Sequence, residues 1–153
     1  MCDIGFRASS CRPPCLVKRR LVPEPLGRGL LPGSVTGTYA GDDIRRSMPR
    51  FNPPHLGVNL ALSQAFGRLA AEAGCTPAQL ALAWLLRRAA HVIPIPGTTS
   101  EVHLEDNVGA CDVRLSADQW AHVEASIDAR RVSGARYPET VLREIDADES
   151  RPS

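Results

Sequence analysis

The sequence predicts an α/β fold in which two short parallel strands are each followed by helices. Three observations predict it. Two apolar runs, Leu21 to Leu26 and Val92 to Ile95, read as strands. The second is continuously apolar, which suits a strand of a parallel sheet covered by helices. Three Ser/Thr-x-x-Gln/Glu boxes, at Thr76, Thr98 and Ser116, mark helix starts. The resulting order, strand–helix–helix–strand–helix–helix, brings each strand back beside the last through helical crossovers, the pattern of a parallel sheet.

The elements follow in chain order. Residues 1–20 carry neither helical nor strand periodicity and end in the basic run Lys18-Arg19-Arg20. They read as a disordered basic start, or as a truncated or frame-shifted one. Leu21 to Leu26 is a strand weakened by Pro23 and Pro25, which cannot donate to a ladder. Gly27 to Asn52 reads as a long loop rich in glycine and arginine, with one helical turn at Asp42 to Arg46. Pro54 to Ala73 reads as a helix burying Val58, Leu62, Ala65, Leu69 and Ala73, with Phe66 beside them. Gly74 stops it. Thr76-Pro77-Ala78-Gln79 starts a helix that runs to Arg88 and places Trp84 in the core. After the strand Val92 to Ile95, a helix runs from the box at Thr98 to about Ala110. Ser116 starts the last one, with Trp120, Val123 and Ile127 on one face. Residues 130–153 read as a polar, partly ordered tail.

Bulk properties narrow the class. Hydrophobic residues make up 43% and charged ones 23% of 153 residues, and the net charge is +1. Electrostatics alone therefore point to neither nucleic acid nor a membrane surface as partner. No run is long and apolar enough for a transmembrane helix, and the start lacks a secretory apolar core. Cys2, Cys11, Cys15, Cys75 and Cys111 are irregularly spaced, which predicts reduced thiols in a cytoplasmic protein. His55, His91 and His122 have no partners at metal-ligand spacing and read as surface or helix-end residues.

The stretch most suggestive of chemistry is Val92-Ile93-Pro94-Ile95-Pro96-Gly97-Thr98-Thr99-Ser100, followed by His103-Leu104-Glu105-Asp106-Asn107. A strand ends in a small, hydroxyl-bearing turn that opens a helix. Helix N-termini offer outward N–H groups and a positive dipole end to an anion. The same pattern also serves as a plain structural turn.

This stretch resembles the last strand and following helix of the aldo-keto reductases. Three more segments agree in order and spacing. Pro25-Leu26-Gly27-Arg28-Gly29-Leu30-Leu31 resembles the family segment after the seventh barrel strand. Arg45-Arg46-Ser47-Met48-Pro49-Arg50-Phe51 resembles the basic segment of the long loop that follows. Cys75-Thr76-Pro77-Ala78-Gln79-Leu80-Ala81-Leu82-Ala83-Trp84 resembles the helix before the last strand. The resemblance covers residues 21–129. It implies part of a TIM (β/α)₈ barrel, its C-terminal third, because a whole barrel takes about 250 residues.

The resemblance also implies an activity, hydride transfer between NADPH and a small-molecule aldehyde or ketone. The implied cofactor is NADP. Leu26, Gly27 and Gly29 would lie along its pyrophosphate and ribose. Gly97, Thr98 and Thr99 would hold its 2′-phosphate, with His103 where many members carry arginine. Asp106, where glutamate is usual, and Asn107 would contact the adenine amino group; otherwise they are an exposed helix face. Arg28 reaches a phosphate in one reading and is a solvated loop arginine in the other. Pro23 stands where members usually carry a tyrosine that stacks on the nicotinamide, and Glu24 where they carry serine. Both departures are expected to weaken cofactor binding. No segment matches the family's catalytic tyrosine, lysine, aspartate and histidine, so no catalytic residue is assigned. Tyr39 and Tyr137 lie outside any such motif, and the lone lysine is Lys18. Two alternatives to a reductase therefore stand: a catalytically dead remnant, and a nucleotide-binding module without chemistry.

Overall fold

The computed structural model describes residues 20–127 and 131–149. The expectations for the start, including Lys18, Cys2, Cys11 and Cys15, lie outside the described residues. Strand β1 (Arg20–Pro23) pairs in parallel with β2 (Val92–Ile95), Arg20 opposite Val92 and Pro23 opposite Ile95. The first strand is shorter than the expected Leu21 to Leu26. After Pro23 the chain leaves the sheet because Glu24 turns into left-handed backbone, φ 56°, and its carbonyl accepts the Gly27 N–H at 3.0 Å.

The crossover between the strands holds two helices, α1 (Leu56–Glu72) and α2 (Pro77–Arg88), which meet at 84°. Their junction is written locally. Gly74 adopts φ 69°, its N–H bonds the Ala71 carbonyl at 3.1 Å, and the Cys75 N–H bonds the Ala70 carbonyl at 3.0 Å. That pair of bonds is a Schellman stop. Two residues later the box at Thr76 starts α2, with both reciprocal side-chain bonds present. Helix α3 (Glu101–Gly109), α4 (Ala117–Ser126) and α5 (Glu139–Glu149) complete the order.

The most buried line of α1 is shifted from the expected one, although Phe66 and Leu69 do reach the core. Val58 is 50% exposed, while Asn59, Ser63, Phe66 and Ala70 are buried. The stripe is rotated by one residue, because two polar side chains go inward and find acceptors there. Asn59 Nδ2 donates to the carbonyls of Arg50 and Ser133, each at 2.9 Å, and Ser63 Oγ donates to Leu30 O at 2.6 Å. A reading based on apolar spacing passes over such positions.

Two apolar clusters result. Phe66, Ala70, Leu80, Ala81 and Val123 form the first, with Trp84, Trp120 and Ile127 against it, as expected. The second joins Val35, Met48 and Phe51 with Tyr39, Leu56, Leu60 and Tyr137. It gives the long loop a core of its own, together with 3₁₀ turns at Gly27–Gly29, Ile44–Ser47 and Pro49–Phe51. Part of the expected polar, partly ordered tail belongs to it through Tyr137. Residues 133–137 dock on α1 and the loop, and α5 follows them.

Candidate functional site

The ends of both strands open onto one cleft of about 750 Å³. One wall is the turn from β2 into α3. Its helix cap corrects the expected box at Thr98. Ser100 is the last extended residue (φ −105°, ψ 126°), and its Oγ accepts the His103 N–H at 3.4 Å, so the helix begins at Glu101. The Thr98 hydroxyl closes its own turn instead, accepting the Ser100 N–H at 3.1 Å and donating to the Ser100 carbonyl at 3.3 Å. Gly97 leaves open space in front of it, since a Cβ built there meets nothing within 4 Å. Gly97, Thr98, His103, Asp106 and Asn107 all line the cleft; Thr99 is exposed but outside the lining.

Asp106 is held from α2. The Thr76 hydroxyl donates to both of its carboxylate oxygens at 2.9 Å while accepting the Gln79 N–H at 3.1 Å. The cap and first residues of α2, Thr76 to Ala78, thereby join the cleft floor. Burial, and secondarily the Asp106 charge, push the neighbouring Cys75 thiol above its usual range.

The opposite wall comes from the turn after β1. Leu26, Arg28 and Gly29 face the cleft, and Gly27 faces a neighbouring depression of about 270 Å³. Gly29 sits at φ 87°, and a Cβ there would come within 2.5 Å of Ser34 Oγ. Arg28 is not a solvated loop residue. Its Nε pairs with Glu24 at 2.9 Å, its Nη1 points to Met48 Sδ at 3.5 Å, and its Nη2 donates to the Tyr137 hydroxyl at 3.4 Å. Its guanidinium also lies 5.4 Å from the Tyr137 ring centre.

Asp43 and Arg45 line the cleft as well and were not among the expected site residues. They form a fork, with Arg45 Nη2 at 2.6 Å from Asp43 Oδ2 and Nε at 3.0 Å from Oδ1, while the Arg45 N–H bonds Oδ1 at 2.9 Å. Arg45 Nη1 donates to the Arg28 carbonyl at 3.3 Å, so the fork braces the opposite wall. The hydrogen bonds from Arg45 hold the Asp43 carboxyl below its usual range, and Asp43 in turn raises the Arg45 guanidinium. The Asp-x-Arg spacing within a loop, an Asx-turn signal, marks this pair in the sequence. In sum the cleft lining carries Glu24, Asp43 and Asp106 against Arg28, Arg45 and His103.

Among the described residues no group of three His, Cys, Asp or Glu side chains is placed to hold a metal, and no single helix is long and apolar enough to cross a membrane.

A parallel strand pair whose ends open onto a cleft faced by two capped helices is an architecture of α/β enzymes that bind ligands at strand ends. The chain belongs to the aldo/keto reductase family, whose profile matches residues 21–128. It is 39% identical over 116 residues to the aldo-keto reductase yakc of Schizosaccharomyces pombe, whose name carries NADP(+); the match covers 74% of this chain and 34% of that protein. It is 37% identical over 115 residues to the probable aldo-keto reductase 1 of Glycine max, covering 74% and 33%. Among solved structures it is similar to the glycerol dehydrogenase AKR11B4 from Gluconobacter oxydans, with TM-score 0.63 and 26% identity over 75% of this chain and 35% of that one. The chain thus spans about a third of the length of these relatives.

Proposed function

We propose that residues 21–129 are the C-terminal wedge of a (β/α)₈ barrel and form the adenosine-phosphate side of an NADP site. The whole reductase would transfer a hydride between NADPH and a small aldehyde or ketone. One observation carries this reading: Leu26, Arg28 and Gly29 share a cleft with Gly97, Thr98, His103, Asp106 and Asn107, although some 70 positions separate the two groups.

The cleft suits the group in shape and donors. Open space at Gly97 and the first N–H groups of α3 favour the 2′-phosphate. His103 in the first turn of α3 adds a ring nitrogen. Asp106, oriented by Thr76, and Asn107 suit the adenine amino group, and the turn at Leu26 to Gly29 suits the pyrophosphate. The bound nucleotide supplies the hydride; this chain's residues bind and orient its adenosine half.

On its own the 153-residue chain is expected to reduce no aldehyde. Tyr39 gives its hydroxyl to Phe51 O at 3.2 Å and Tyr137 holds Arg28, so both phenols are engaged elsewhere, and the described residues include no lysine. General acid catalysis commonly contributes about 10²–10⁴-fold. The same observation favours the second reading, a nucleotide-binding chain without chemistry of its own.

Calorimetric titration with 2′-phospho-ADP-ribose tests the site. Saturable binding weakened by His103→Ala and by Asn107→Ala is the expected result. Absence of binding, or binding indifferent to both changes, overturns it. Turnover of an aldehyde by the isolated chain overturns the expected inactivity.

A further inference from the structure

Glu24 and Arg28 both line the cleft, and the carboxylate sits 2.9 Å from Arg28 Nε. The guanidinium's other partners, Met48 Sδ and the Tyr137 hydroxyl and ring, are uncharged. Among the described residues Glu24 is thus the one carboxylate paired with Arg28. We propose that Glu24 sets the cleft's affinity for phosphate-bearing ligands: it occupies Arg28 as an internal counter-ion that an incoming phosphate must displace. The inference rests on the reading of the cleft as a nucleotide site.

The second arginine of the cleft shows why Glu24 is the adjustable element. Asp43 grips Arg45 through both carboxylate oxygens and also accepts its backbone N–H. That fork is closed on itself and braces the turn. Glu24 Oε2 lies 2.9 Å from Arg28 Nε, and the Glu24 side chain is 43% exposed. A partly exposed ion pair of this kind is weak and salt-sensitive, so an anion can compete for it. With Glu24 in place, Arg28 contributes little net charge to the cleft; without it, Arg28 offers a full positive charge. Met48 and Tyr137 keep the guanidinium in position either way. The backbone sets where the carboxylate starts from, because left-handed Glu24 belongs to the tight turn closed by the Gly27 N–H.

The test is calorimetric titration of the full chain with 2′-phospho-ADP-ribose and, as a neutral control, adenosine, at low ionic strength. Glu24→Gln is expected to bind the phosphorylated ligand about fivefold more tightly, the upper size of a half-exposed ion pair. Adenosine binding is expected to stay unchanged and the gain to vanish at high salt. Glu24→Gly also removes the carboxylate and suits the positive φ, so it should give the same gain. Arg28→Ala should weaken phosphate-ligand binding, and adding Glu24→Gln to it should restore nothing. Equal affinity of wild type and both Glu24 variants, a gain that survives Arg28→Ala, or an equal gain for adenosine overturns the role of Glu24 while leaving the nucleotide site standing. No binding of either ligand by any variant overturns both.

Discussion

The β2–α3 wall of the cleft is assembled from residues 96–107, whereas the wall facing it draws on residues 23–29 and 43–45 and, through Tyr137, on the segment after α4. The turn of the first wall is held by bonds that span two or three positions, Thr98 to Ser100 and Ser100 to His103, while Asp106 further along is tied to Thr76, 30 positions away. The second is held by bonds that span 17, 20 and 109 positions, from Arg28 and its neighbours to Arg45, Met48 and Tyr137. A wall made of local turns keeps its shape through its own caps. A wall made of long-range contacts keeps its shape only while distant segments stay docked. Substitutions in the two walls should therefore differ in size and reach.

The largest effect is expected at Asn59, which is fully buried and ties α1 to Arg50 and to both backbone groups of Ser133. Asn59→Ala strands three backbone groups and should cost about 3 kcal/mol in urea unfolding. It should also expose residues 131–138 to proteolysis while the β2–α3 turn stays protected. A loss under about 1 kcal/mol, or uniform loss of protection, would erase the contrast between the walls.

The two glycines at the cleft sharpen it further. Gly29→Ala puts a Cβ into Ser34 at positive φ and should cost about 2 kcal/mol. Gly97→Ala meets open space and should change stability by less than about 0.5 kcal/mol, while crowding the proposed phosphate position. Equal costs at the two positions would mean that the walls are equally constrained.

Within the local wall, the cap is the sensitive point. Ser100→Ala should cost about 1 kcal/mol. Thr98→Ala, which removes only a turn bond, should cost less than about 0.5 kcal/mol. The reverse order would return the helix start to Thr98.

The smallest effect concerns acid. Asp43 has its pKa lowered in the folded chain, chiefly by its hydrogen bonds with Arg45. Its contribution is therefore present above the ordinary carboxylate value and lost as pH falls through the lowered one. Unfolding midpoints of the wild type should drop below about pH 4, and Asp43→Asn should lack that component. Parallel pH profiles for the two proteins would remove the fork from the account of the long-range wall.

Much of the fold was legible in the residues. The boxes at Thr76 and Ser116, the stop at Gly74 and the strand Val92 to Ile95 follow from patterns only a few residues long, and the parallel pairing from the order of the elements. So did the pairing of apolar faces on α4, where Trp120, Val123 and Ile127 meet the first cluster. The residues proposed for the cofactor were legible mainly through resemblance, since small residues at a strand–helix turn recur in many proteins that bind nothing. Asp43 and Arg45 lay inside the recognised basic loop, yet their place in the cleft depends on how that loop folds over Met48 and Phe51.

By itself, then, the sequence determined α1, α2 and α4 with the boxes at Thr76 and Ser116 and the stop at Gly74, and the strand Val92 to Ile95; the cap of α3 at Ser100 and the whole of α5 it did not. Each element so determined rests on hydrogen bonds or apolar spacing within one or two turns, which leave a local trace in the residues. Only the tertiary structure decided which line of α1 is most buried, that residues 133–137 dock, and that Arg28 pairs with Glu24 and is held by Tyr137. Asn59 and Ser63 go inward because acceptors 74 and 33 positions away await them. Such partners leave no trace at the positions they bury, because a polar residue looks exposed until its partner has folded against it.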